Sequence, residues 1–442
     1  MSTVSAGTAS YVRFLLAWIV GSCLLFGTMT TGTETLWHPF AAMESVKRAQ
    51  TVITRAEDVW LWDSAGTRYL DATASLWYAN AGHGRREIAD AVAAQLQRLD
   101  AYHLFTDFAN EPALALADAL AARAPMAAAK VFLTSGGGDS IDTAAKIARA
   151  HFALTGQPER TILLHREHSY HGTHGLGTSL AGIPGNRVAP PFVPDVVQTA
   201  WNDAEMLEET IRELGPEKVA AFFCEPVIGA GGVLPPPPGY VEAAAEVCAR
   251  HGVLFVVDAV ICGFGRLGDW FGTERFGITP DLITFAKGVT SGVQPLGGVV
   301  ASGAVAAPFW DTPATVFRHG QTYSGHPAAC AAGLATIDLY ERDGLFARAD
   351  ALEGPLLERL QGLADHPLVV EARGGTGFLG ALELVPDRPG LTGTVANAVR
   401  EHGVIIRPMV SALGFSPPLT ATEDHLDLLA DAVRKGLDDA SR

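Results

Sequence analysis

From about residue 130 onward, uninterrupted apolar runs alternate with stretches of helical periodicity. VFLT (131–134) precedes a helix expected from Asp139 to Ala150. TILLH (161–165), VAAFFCE (219–225), VLFVVD (253–258), DLITF (281–285) and LGGVVAS (296–302) read as further strands, with a helix over YVEAAAEVCARHG. Strands apolar on both faces and separated by helices predict a mostly parallel α/β sheet covered on both sides. Ligands of such sheets sit beyond the carboxyl ends of the strands. Glu225, Asp258 and Lys287 all fall at or just past predicted strand ends.

After about residue 342 the pattern changes. A helix (about 344–362) leads to the β-rich stretch VVEARGGTGFLGALELV, another helix, the apolar run VIIRP and a last helix from Glu423. This predicts a smaller α+β domain. VWLWDSAGTRYLDA reads as a hairpin around Ala65-Gly66. The expected division is a hydrophobic extension (1–36), a segment packing with the small domain (37–85), a large domain (86–342) and the small domain (343–442). No internal repeat or low-complexity linker interrupts it, and PPPP at 235–238 is a short rigid loop.

Composition narrows the function. The chain has 442 residues, 48% hydrophobic, and a net charge of −16. That charge argues against a nucleic-acid partner and against an anionic membrane surface. Five scattered cysteines without a CxxC suit reduced thiols in the cytoplasm, not a disulfide frame or a metal site. The apolar run Phe14–Phe26 is short for a membrane span and sized like the core of a signal peptide. It is read as an extension outside the catalytic fold, with membrane contact or export as the competing readings.

The strand-end residues suggest a chemistry. A lysine amine forms a Schiff base with an aldehyde cofactor, and a carboxylate holds a protonated pyridine nitrogen, so Lys287 and Asp258 suit pyridoxal phosphate (PLP). Ser135-Gly136-Gly137-Gly138-Asp139, before a helix, offers N–H donors for a phosphate. HSYHG (168–172) offers Tyr170 for one ring face, flanked by His168 and His171. Val260, two past Asp258, is expected on the same side of the strand and on the other ring face. HGQTYSGHP (319–327) is dense in small polar groups, with Thr322 as a hydroxyl donor and Pro327 as a helix start.

The segments DAVICGFGRLGDWFG, DLITFAKGVTSG, HSYHG, CEPVIGAGG and HGQTYSGHPAACAA resemble class III aminotransferases. These are fold-type I PLP enzymes of the subgroup with the 4-aminobutyrate, ornithine and ω-amino acid:pyruvate transaminases. The resemblance runs from about Trp37 to the C-terminus. It implies a catalytic Lys287 and Asp258. It also implies a cofactor site of Gly137, Gly138, Tyr170, His171, Glu225 and Val260, and a homodimer in which Thr322 reaches the neighbouring subunit's phosphate. Arg407 in GVIIRPM matches a mobile arginine for a substrate carboxylate, and Phe40, Trp77 and Phe105 match an aromatic substrate pocket.

The implied reaction is a ping-pong transfer of an amino group from an amine or ω-amino acid to pyruvate or 2-oxoglutarate. A diaminopelargonate-type transaminase, an aminomutase or decarboxylase, and a catalytically idle relative are the alternatives. The chain departs from the family pattern at three places. Ala259 replaces an acid, GGGDS replaces S-G-S/T-E-A and so lacks a hydroxyl at Gly138, and Ala72 and Ser75 replace glycines in DATASLW.

Overall fold

A computed structural model of the chain describes residues 35–48 and 50–442. The run Phe14–Phe26 and most of the expected extension lie outside the described residues. Among the described residues, no helix is long and apolar enough to cross a membrane. The chain divides into two compact units. The smaller holds the residues up to Thr54 with Asp63–Gly66. Its described part includes the helix Met43–Arg48, and Ser64 N–H donates to Val52 O at 2.8 Å. Arg55–Trp62 and Thr67–Arg442 form the larger unit.

Ile53–Glu57 (β1), Trp60–Asp63 (β2) and Arg68–Asp71 (β3) come first along the chain, with β2 and β3 paired antiparallel. Then follow Lys130–Thr134 (β4), Ile162–Arg166 (β5), Val196–Thr199 (β6), Val219–Cys224 (β7), Leu254–Asp258 (β8), Leu282–Phe285 (β9) and Gly297–Ala301 (β10). These seven form one sheet in the order β4-β10-β9-β8-β7-β5-β6. The β6–β5, β5–β7, β7–β8 and β8–β9 pairs are parallel, and β10 runs antiparallel to both β9 and β4. Every residue of β7, β8, β9 and β10 is buried, which explains why their sequences are apolar without alternation. β6 escapes the sequence pattern because VVQT is an edge strand, largely half-exposed.

The helix after β4 spans Gly137–Leu154 and starts two residues before the expected Asp139. It buries Ile141, Ala144, Ala145, Ile147, Ala148 and Phe152 as one apolar stripe on the sheet. Ser140 ties down its first turn. Its Oγ donates to Gly136 O (2.9 Å) and lies 3.1 Å from Phe285 O at the end of β9.

Val369–Arg373 (β11), Gly380–Leu384 (β12), Val404–Ile405 (β13), Arg407–Pro408 (β14) and Ala412–Phe415 (β15) complete the strands. VIIRP is not one element. Val404 and Ile405 pair parallel with β3, whereas Arg407 and Pro408 pair antiparallel with β15. The buried Ile406 carries the chain from one sheet to the next, so both halves read as a single apolar run.

Arg266, fully buried after β8, fastens these parts together. Its guanidinium donates to Phe378 O (2.7 Å), Pro417 O (2.8 Å) and Asn80 Oδ1 (3.0 Å). Burial lowers its pKa to about 10. Arg266→Ala strands two carbonyls and an amide without partners and should cost about 3–5 kcal/mol of stability. Thermal unfolding reads the loss, and an unchanged Tm would show that the three bonds contribute nothing net.

Candidate active site

Three parallel neighbours, β7, β8 and β9, deliver Glu225, Asp258 and Lys287 to one edge of the sheet. The first turn of the Gly137–Leu154 helix faces the same edge. A cavity of about 120 Å³ is lined by Gly137, Gly138, Tyr170, His171, Glu225, Asp258, Val260 and Lys287, together with Ile141, Gly172 and Ile261. Larger cavities exist, such as one of about 400 Å³ against Phe309, Trp310 and Phe317. That one is lined chiefly by apolar side chains and gathers no opposed acids and bases, so the smaller cavity is the candidate for chemistry.

Asp258 is 3% exposed and fully partnered. Its Oδ2 accepts from His171 Nδ1 at 2.7 Å, and its Oδ1 accepts from Thr284 Oγ1 and Val260 N–H, both at 3.1 Å. Thr284 lies opposite Asp258 in the β8–β9 register. Sequence reading missed Thr284, because only the strand pairing reveals it.

Val260 lines the cavity for a different reason from the one expected. The strand ends at Asp258, and Val260 sits in the following turn, so strand alternation does not place it. Its methyl group lies 3.1 Å from where a Cβ on Gly137 would be, which holds it against the helix start.

Glu225 is also buried, and its two oxygens accept Tyr170 N–H and Gly229 N–H, each at 2.9 Å. Desolvation raises its pKa, with His171 opposing and Asp258 adding. Its geometry is that of a clamp on the Tyr170 loop. Burial raises the pKa of the Tyr170 phenol as well.

Lys287 adopts φ +50°, a left-handed conformation that costs a non-glycine residue about 1 kcal/mol or more. Its amine reaches into the cavity. Desolvation lowers its pKa, and the charges of Asp258 and Glu225 partly restore it.

Arg407, on β14, is half-buried, and its Nε has no hydrogen-bond partner. Burial lowers its pKa, and it interacts electrostatically with Tyr170 and Lys287. Trp77 is buried with Val227, Ile261 and Cys262, one side chain away from the cavity through Ile261. Its loop is strained. Ala74, Ser75 and Trp77 have φ of +44°, +59° and +65°, so Ser75 occupies a conformation suited to the glycine it replaces. The buried Asp71 holds that loop, accepting from Thr73 N–H (3.1 Å) and Ser75 N–H (2.6 Å) and contacting His83 Nε2 at 2.8 Å.

Other expected residues are not brought to the cavity. Thr322 is exposed in a turn. Phe105 lines a separate cavity of about 230 Å³ with His319, Gly320, Gln321 and Ser324. Phe40 is exposed and belongs to the smaller unit. Ala259 is fully buried in the core, donating its N–H to Thr284 O.

The donor set fits PLP. The helix start offers side-chain-free amides to a phosphate, Asp258 offers a carboxyl group to a ring nitrogen, and Lys287 offers an amine of lowered basicity.

Comparison with known proteins agrees. The family model described as Aminotransferase class-III matches residues 41–437. The putrescine–pyruvate aminotransferase of Pseudomonas aeruginosa is 39% identical over 419 residues, covering 89% of this chain and 91% of that protein. An omega-aminotransferase of Caulobacter vibrioides is 37% identical, covering 91% of this chain and 97% of its own. An amine transaminase crystal structure from an uncultivated Pseudomonas species, in its PLP-bound form, superposes with a TM-score of 0.89 at 34% identity. It covers 93% of this chain and 100% of its own.

The electrostatics of Lys287 are measurable without cofactor. In protein whose lysines carry ¹³C-methyl groups, the Lys287 signal should titrate below those of exposed lysines, because burial disfavours the ammonium form. Asp258→Asn removes a charge that raises the pKa, so the midpoint should fall further. A midpoint at or above that of the exposed lysines would contradict this electrostatic picture.

Proposed function

The chain belongs to the class III aminotransferases, and we propose that it moves an amino group from a primary amine or ω-amino acid to a small keto acid, with pyruvate first among acceptors. The observation that carries the choice of substrate is Arg407, whose buried Nε lacks a partner and whose charge acts on the cavity's Tyr170 and Lys287. A buried guanidinium edge without a partner is costly and suits a carboxylate. Relatives named for putrescine and pyruvate, and for β-alanine and pyruvate, support the same pairing.

PLP, which the family implies, supplies when bound an aldehyde that accepts the amino group and a ring that takes up electrons from the donor carbon. Asp258, held in place by three donors, pairs with the ring nitrogen. Tyr170, clamped by Glu225, and Val260 flank the ring, and the amides of Gly137 and Gly138 bind the phosphate. Lys287, with its lowered basicity, would take a proton from the donor carbon as general base and deliver it to the cofactor's former aldehyde carbon as general acid. Arg407 binds the carboxylate of the keto acid, and Trp77 borders the donor's side of the pocket.

We also propose a homodimer in which Thr322 completes the partner's phosphate site. Thr322 is exposed and outside its own chain's cavity. Around it and around Phe105 the surface is unusually apolar, with Trp310 63% and Tyr323 70% exposed and Tyr102 and Phe108 about half-exposed. A surface of that kind marks an interface. The described cysteines are all buried and free, as suits a reducing cytoplasm.

Holoenzyme given pyruvate and a panel of primary amines and ω-amino acids should form alanine. Arg407→Ala should raise KM for pyruvate roughly 30-fold, the equivalent of about 2 kcal/mol for a lost carboxylate contact. The half-reaction with a primary amine should change little. Equal damage to both half-reactions would make Arg407 structural.

Thr322→Ala should weaken PLP binding. In dimers mixed with Lys287→Ala protomers, the Thr322→Ala protomer's site keeps its own lysine and receives the partner's intact threonine, so one site per mixed dimer should regain normal cofactor affinity. Failure to recover such a site would place Thr322 in its own chain's pocket.

A further inference from the structure

The helix that faces the pocket begins Gly136-Gly137-Gly138, three residues that bring no side-chain donor to a phosphate. One side chain fills the space they leave. A Cβ on Gly138 would lie 3.1 Å from Cε1 and 3.2 Å from both Cδ2 and Cγ of His174. Near-equal distances to three ring atoms mean that the imidazole lies face-on over the Gly138 Cα. Gly172 closes in as well, since its own Cβ would lie 3.0 Å from the Gly138 Cα. Nothing larger than glycine fits at 138 unless the imidazole gives way.

A ring in that orientation presents a nitrogen to either side. Nδ1 lies 3.5 Å from Asp139 Oδ1, and Nε2 has no hydrogen-bond partner among the described residues. Packing does not account for the side chain, which is 52% exposed. Capping does not either. His174 precedes the short helix Gly175–Ser179 and makes no side-chain cap hydrogen bond.

We propose that His174 is a phosphate-binding residue, donating from Nε2 to the phosphate of bound PLP and making the side-chain contact that Gly138 cannot. The inference rests on the reading of the pocket as a PLP site. With Nδ1 turned towards Asp139, Nε2 is the ring nitrogen left to donate to a phosphate. The charged groups facing the ring come from the Gly137–Leu154 helix. They are Asp139 and Asp142, with Lys146 one turn beyond. On the ring's own loop, Tyr170 lines the pocket and His171 is bonded to Asp258, with Glu167 and His168 nearer its start.

The test is the affinity of the holoenzyme for PLP, read from its near-visible absorbance on dilution, with the ³¹P resonance of the bound phosphate as a second readout. His174→Ala should weaken binding about 10-fold, in line with one charge-assisted hydrogen bond, and should move the ³¹P signal. Adding Gly138→Ser to His174→Ala places a hydroxyl in the vacated space and should restore most of the affinity. A merely structural histidine would not be rescued that way. Parent-like affinity and an unchanged ³¹P signal in folded His174→Ala overturn the assignment, as does a double variant no tighter than the single one. If the parent protein itself shows no near-visible band with PLP, the pocket reading falls and this assignment with it.

Discussion

An ionised carboxylate at the end of a fully buried strand has to be satisfied by protein donors, and the arrangement around Asp258 follows from that requirement. Desolvating a carboxylate costs several kcal/mol unless hydrogen bonds replace water. Three donors from three places do so: His171 from the loop after β5, Thr284 from β9 and the Val260 amide from the turn after β8. Each contact fixes a neighbour. The Thr284 bond depends on the parallel register that also sets Lys287 just past the end of β9. The His171 bond fixes the loop that carries Tyr170, and Glu225 ties the same loop from β7. The Val260 bond shapes the turn that packs on the helix start.

The same sheet edge explains why basic and acidic groups coexist there. Burial pushes the Lys287 amine down and the Glu225 carboxyl up, and the charges of Asp258 and Glu225 partly restore the lysine. A buried lysine of lowered basicity is suited to take up a proton and release it again. Backbone strain gathers at the same place, at Lys287 and in the Ala74–Trp77 loop. The surrounding structure holds it there, through the Asp71 network in the case of the loop.

Much of this was legible in the sequence, for physical reasons. β7, β8, β9 and β10 announce themselves because both faces are buried, so their residues are apolar throughout. Glu225, Asp258 and Lys287 stand out because a charged residue ending such a run has to be there for a reason. β6 was not legible, since a half-exposed edge strand carries no apolar run. The division of VIIRP between two sheets was hidden because its five residues run on without a turn signal while they change partners from β3 to β15. Val260 was placed correctly on a wrong premise, since the strand had already ended. Thr284 and His174 depend on register and on the packing of a distant loop, which no local pattern encodes. Phe105 and Thr322 resemble pocket residues by motif, yet their own chain places them elsewhere.

The central claim is that Lys287 is the amine that this pocket makes reactive. Loading the protein with PLP, reducing it with borohydride and mapping the peptides by mass spectrometry tests that claim directly, because reduction fixes the cofactor to whichever amine holds it. The account predicts one stoichiometric pyridoxyl group, on the peptide containing Lys287 and abolished by Asp258→Ala far more than by loss of any surface lysine. A label on another lysine, or scattered over several, would contradict it.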